Sequence, residues 1–265
     1  MAPRRPARSD PARSLSLLWG PKTNPSRSGL TLRRIMDAAI ELADRKGWDA
    51  VTMRSVADRV GVATMSLYSH VPGKQDLAEL VIDATYGKLY ERVEEPSEAA
   101  GGWRGAMTLV ADRNWSLFQR HPWLVDAVGA RPVLGPNVSM KYEAELRPLD
   151  GLGLTDVEMD SVLNLVLSHV ESTARVQVRL ARSQETSGMT DAEWWLERAP
   201  HMFQLIDPTR FPIGSRVGQA AGEAHNATAS PTHALTFGLE RILDGVAALI
   251  AARPSPSRRR GRRNS

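Results

Sequence analysis

Between positions 64 and 70 the chain sets Thr64, Met65, Ser66, Ser69 and His70 around a single apolar residue, Leu67. Hydroxyls both donate and accept, and a methionine packs against a thymine methyl, so this set suits the base edges of a DNA major groove. The sequence offers no rival chemistry of equal definition. It has no cysteine, which excludes disulfides, thiolate metal sites and cysteine catalysis. It also lacks a nucleophile elbow, a phosphate-cradling glycine loop and a His-Glu-x-x-His pair. His121, His169 and His201 stand without ligand spacing, so no metal and no cofactor is expected and catalysis is not anticipated.

Side chains read a groove only when a helix presents them. Thr52 is suited to cap a helix whose apolar stripe is Val56, Ala57 and Val60. Gly61 follows the last of these, where a left-handed helix end suits glycine. Thr64 is expected to cap a second helix anchored inward by Leu67. Two short helices joined by such a turn, here over residues 52–71, form a helix-turn-helix whose second helix enters the groove by its N-terminal residues. Upstream, Leu32, Ile35, Met36, Ala39 and Leu42-Ala43 make the stripe of a supporting helix of about four turns, stopped at Lys46-Gly47. Downstream, Val71-Pro72-Gly73 is a turn, and Lys74 opens a connecting helix with Leu77, Leu80-Val81 and Ala84 on one face.

These residues resemble the DNA-binding domain of the tetracycline-repressor (TetR/AcrR) family. The resemblance is carried by Ile35-x-x-Ala38-Ala39-x-x-Leu42, Gly47-x-x-x-Val51-Thr52-x-Arg54-x-Val56-Ala57, Gly61-Val62 and Leu67-Tyr68-x-His70-Val71-x-x-Lys74-x-x-Leu77. It continues through His121-Pro122-Trp123, Gly129-Ala130-Arg131-Pro132 with Gly135-Pro136-Asn137, and residues 237–245, which look like the family's tetracycline-repressor-type C-terminal domain. The resemblance implies phosphate contacts in the first helix of the motif, where Thr52 and Arg54 stand, with the arginine able to reach a guanine. It likewise places Tyr68 and Lys74 on phosphates, which fix register rather than sequence. Two other roles stay open: a core-edge position for Tyr68 and a helix-ending cap for His70.

Composition bounds the rest. The 265 residues allow one large or two modest domains, and no apolar run approaches the ~18–20 residues that span a bilayer. Residues 15–19 are too short for a signal-peptide core, so a cytoplasmic protein is expected. Net charge is +4, but residues 1–30 carry six Lys/Arg against one acid and residues 253–265 carry six Arg and none. The intervening chain is therefore acidic, which argues against a nonspecific nucleic-acid coat. The expected organisation is a disordered basic arm at 1–28, a DNA-binding domain at 29–89, a helical body at 100–252 and a disordered Arg-rich tail at 253–265. The arm adjoins the reading unit and could add phosphate or minor-groove contacts.

The body reads as helix throughout, giving an all-α chain of about ten helices. Trp103, Met107, Val110, Asn114 and Leu117-Phe118 share a face; another helix spans about 136–148; Thr155 caps a long helix to about Ser183; and Thr190 caps a helix carrying Trp194-Trp195. Residues 207–231 are rich in Gly, Pro and Ala and read as a mobile loop. In the last helix, from about 231 to 252, Leu235, Leu239, Ile242, Val246 and Leu249 line one face, and Gly238 and Gly245 another. Each helix-interior glycine costs about 1 kcal/mol against alanine, so this pair predicts close approach of another helix, across a homodimer or within an entirely intramolecular bundle. The resemblance implies a two-fold four-helix interface there, and two recognition helices about 34–36 Å apart would read a palindromic operator in double-stranded DNA.

The resemblance also implies a small-molecule effector that releases a repressor from its operator. Trp103, Met107, Trp115, Phe118, His169, Thr173, Arg175, Trp194 and Met202, with Trp195 and Phe203, are candidates to line its apolar cavity. For the aromatics the competing role is plain core. For His169 it is a satisfied core or dimer-interface histidine. A weakly specific architectural DNA-binding protein is the alternative function.

Overall fold

The computed structural model describes residues 11–21, 30–129 and 131–253. The basic segments at 1–10 and 22–29, Ala130 and the Arg-rich tail from 254 onward lie outside the described residues. Twelve α-helices occur among those described, with no strand. A helix, α1 (Pro11–Trp19), stands where a disordered arm is expected. Leu18 buries its side chain, Ser14 Oγ donates to Asp76 Oδ1 at 2.9 Å and Trp19 Nε1 donates to Leu134 O at 2.9 Å. These contacts supply the burial that composition alone did not promise.

The head follows. In α2 (Leu32–Lys46) the predicted stripe is buried from Ile35 onward, with Leu32 half-buried, and Thr31 caps its start. α3 (Met53–Val60) opens with a capping box in which Thr52 and Ser55 satisfy each other's backbone N–H, worth about 1 kcal/mol. Gly61 ends it at φ 76°, a left-handed turn that aims the next helix. That helix, α4 (Thr64–Tyr68), has Ala63 rather than Thr64 at its cap position and no side-chain cap, correcting the expectation for Thr64. Leu67 is fully buried beneath it. α5 (Lys74–Tyr86) packs on α1 and α2 and runs on to the body.

The body comprises α6 (Gly102–Arg120), α7 (Leu124–Ala127), α8 (Pro136–Leu146), α9 (Asp156–Ser187), α10 (Asp191–Leu205), α11 (Pro212–His225) and α12 (Pro231–Ala251). Thr155 and Thr190 cap α9 and α10 through boxes with Glu158 and Glu193. α9 runs one turn beyond Ser183 through exposed polar residues, Thr186 and Ser187 bonding back to Arg182 O and Ser183 O, and ends at the left-handed Gly188. The core of the body is α9 packed against α6 and α12. The expected loop at 207–231 instead contains α11. Pro212 starts it, Gln219 and Glu223 bond across one turn, and Gly222 seats Trp195 of α10. Glycine-rich composition suggested a loop because only the tertiary contact reveals why a glycine is needed inside a helix.

Candidate nucleic-acid interface and body cavities

The reading surface is open to solvent. Met65 is 77% exposed and Tyr68 40%, with Ser66 and Ser69 also exposed and Thr64 and His70 half-buried. Ser69 Oγ donates to Ser66 O at 2.7 Å, which leaves its lone pairs for a donor on DNA. His70 follows the helix end, its N–H returning to Leu67 O. Thr52 is exposed but its hydroxyl is engaged with Ser55. Arg54 is exposed and has no acidic partner among the described residues. Lys74 lies 5.6 Å above the Trp48 ring, at the end of α5 nearest α4. Tyr68, Lys74 and Arg54 are thus all exposed, on α4, α5 and α3.

Junction residues between head and body escaped sequence reasoning. Asp44 of α2 accepts from Trp123 Nε1 at 2.6 Å and pairs with His121 Nδ1 at 2.7 Å, and Trp48 stacks on Trp123 with centroids 5.4 Å apart. Asp83 of α5 accepts from the backbone N–H groups of Asn137 and Val138, both at 3.0 Å, so it anchors the positive start of α8. In α8, Glu145 is fully buried. It accepts from Tyr90 (2.9 Å), Asn114 (2.7 Å) and Lys141 (2.5 Å). Burial and then the Glu145 charge push the Tyr90 phenol up. The Lys141-x-x-x-Glu145 spacing was a readable signal for a pair; its burial was not.

A cavity of about 200 Å³ lies between α5, the 128–133 segment, α8 and α9, and its walls include Ile82, Tyr86, Val133, Val138, Lys141 and Leu167. None of the nine residues expected around an effector is among its lining. Met107 and Phe118 are buried core of α6, while Trp103 and Trp115 are half-buried against that core. Thr173 Oγ1 bonds His169 O, and Arg175 binds Val125 O at 2.7 Å and Glu171 at 2.6 Å. Trp194 is 40% exposed beneath Arg198, and Met202 lies half-buried on the same outlying helix. Helical period put these residues on inward faces; it could not say that the faces converge on different places.

The expected dimer face also divides. Leu235, Leu239 and Val246 are buried within the chain. Gly238 meets His169 of its own chain, whose Nε2 lies 3.1 Å from Leu235 O, so this glycine serves the internal α9–α12 crossing. Ile242, Gly245 and Leu249 instead line an open groove of about 350 Å³ with Ser161 and Leu165 of α9.

Comparisons with known proteins agree with this architecture. The family model for bacterial regulatory proteins of the tetR family matches residues 35–81, and that for the tetracyclin repressor-like C-terminal domain matches residues 95–250. The HTH-type transcriptional repressor DrrR1 of Streptomyces coeruleorubidus is 36% identical over 256 residues, 94% of this chain and 90% of the relative. The repressor KstR of Mycolicibacterium smegmatis is 26% identical over 166 residues, 63% of this chain and 76% of the relative. Among solved structures, apo ActR from Streptomyces coelicolor superposes with a TM-score of 0.69 at 24% identity, covering 84% of this chain and 97% of that one. ActR in complex with actinorhodin gives 0.66 at 25%, covering 83% and 96%. An exposed α4 held by a glycine hinge, joined through α5 to a wholly helical body and matched by models over both parts, makes the chain a DNA-binding transcriptional regulator that belongs to the tetR family of bacterial regulatory proteins.

Proposed function

We propose that this chain is a homodimeric, cytoplasmic repressor, acting by binding rather than turnover, that leaves a palindromic operator when a small hydrophobic effector enters the body. The observation that carries the reading is the solvent-facing α4, with Met65 and Tyr68 exposed over a buried Leu67. In this reading Thr64, Met65, Ser66, Ser69 and His70 meet base edges, Arg54 reaches a guanine, and Thr52, Tyr68 and Lys74 hold phosphates. Ile242, Gly245 and Leu249 meet their two-fold copies. The head spans 29–89, so that α5 belongs to it, and the body spans 100–252.

Release follows from α5 packing against both parts, on α2 in the head and on α8 in the body. Lys74 stands at its DNA end and Ile82 and Tyr86 line the cavity at the other, roughly 20 Å away at 1.5 Å per residue. A ligand that fits the cavity better when α5 is displaced tilts the head about the Asp44–Trp123 junction, and two tilted heads lose their one-turn spacing. ActR, which shares this fold, is solved in complex with actinorhodin, and this supports a ligand-binding body here. Selection of bound fragments from random DNA tests the reading. A two-fold symmetric site preferred at least ~10³-fold over random sequence is expected; salt-dependent but sequence-indifferent binding would mark an architectural protein instead.

A further inference from the structure

The cavity between α5 and α8 has a polarity of its own. At its inner wall Tyr86 is largely buried, yet its hydroxyl finds no hydrogen-bond partner among the described residues, while Lys141 Nζ sits 5.4 Å from its ring centroid. Burial and the nearby Glu171 and Glu145 carboxylates hold the phenol protonated, so it keeps an O–H to donate. Both carboxylates are already engaged, Glu171 by Arg175 and Glu145 by Lys141, Tyr90 and Asn114. With Lys141 and Arg175 each spent on one of these carboxylates, this end holds no free cation for a ligand anion, and the Tyr86 O–H is the donor left for a neutral oxygen. Arg131, by contrast, is an exposed cation in the cavity lining with no acidic partner among the described residues. The walls between, including Val133, Val138 and Leu167, are apolar, and Tyr142 adds a second ring.

Resting on the effector reading above, we infer that this cavity takes a compact aromatic acid, its neutral carbonyl or ether oxygen accepting from Tyr86 and its carboxylate facing Arg131. The two ends therefore select different chemistry, and a purely apolar molecule satisfies neither.

Calorimetry on the full-length protein without DNA tests this, with 6-acetyl-2-naphthoate, its methyl ester and 6-ethyl-2-naphthoate as probes. Replacing the ketone by ethyl is expected to weaken binding by about tenfold, the worth of one hydrogen bond. Esterification should weaken it by about fivefold, since Arg131 is exposed and screened. Tyr86→Phe should abolish the ketone's advantage and leave that of the carboxylate, and Arg131→Gln the reverse. Probe comparison on the unaltered protein keeps the test valid should a variant fail to fold. Absence of acid binding, or equal affinity for all three probes, overturns the proposal. Operator binding is measured separately without probe, so failure there counts against the regulator reading alone.

Discussion

Gly238 and Gly245 stand seven residues apart on one helix, yet the structure surrounds them differently. A Cβ on Gly238 would lie 2.3 Å from His169 Cε1 and 2.5 Å from Nε2, whereas Gly245 has nothing within 4 Å. Gly238→Ala must therefore push the His169 ring away from Leu235 O. Overpacking costs about 1–3 kcal/mol and the displaced hydrogen bond about 1 kcal/mol, against about 1 kcal/mol gained by alanine in a helix interior. The net cost is roughly 1–3 kcal/mol, a fall in Tm on the order of 2–12 °C for a chain of this size. Gly245→Ala carries the same helical gain without the clash in a single chain, so a dilute sample should melt no lower than the parent. Thermal unfolding followed by circular dichroism reads both, and a double-mutant cycle with His169→Ala isolates the contact. In that background Gly238→Ala should instead stabilise by about 1 kcal/mol, a coupling of roughly 2–4 kcal/mol. An additive cycle, or equal melting of Gly238→Ala and the parent, would refute the reasoning.

Tyr68→Phe and Lys74→Ala should each weaken operator binding by a similar factor on every sequence, and Lys74→Ala should reduce the salt slope by about 0.9; unchanged affinity on filter binding would remove both from the phosphates. Glu145→Gln leaves Lys141, 8% exposed, without its counter-charge, and should cost about 3–5 kcal/mol in a denaturant titration. Gly245→Leu should leave the chain folded while raising the dimer dissociation constant by about 5–150-fold, as overpacking of 1–3 kcal/mol would; an unaltered sedimentation profile would place the interface elsewhere.

Local chemistry settled much of this protein in advance. Thr52, Thr155 and Thr190 each cap the helix that follows, and Gly61 takes the left-handed turn, because caps and turns depend on residues three or four positions away. The family signature and the exposed α4 belong to the same local class. Tertiary structure alone decided the rest. Helical period identifies an inward face but not what the face meets: Met107 lies in the α6 core, Trp194 is 40% exposed on α10, and Gly238 meets His169 of its own chain. Composition marked residues 11–19 and 212–225 as irregular, yet Leu18 finds a core against α5 and Gly222 finds Trp195. Such contacts join residues tens to more than a hundred positions apart, and their free energy exists only once the chain has closed around them.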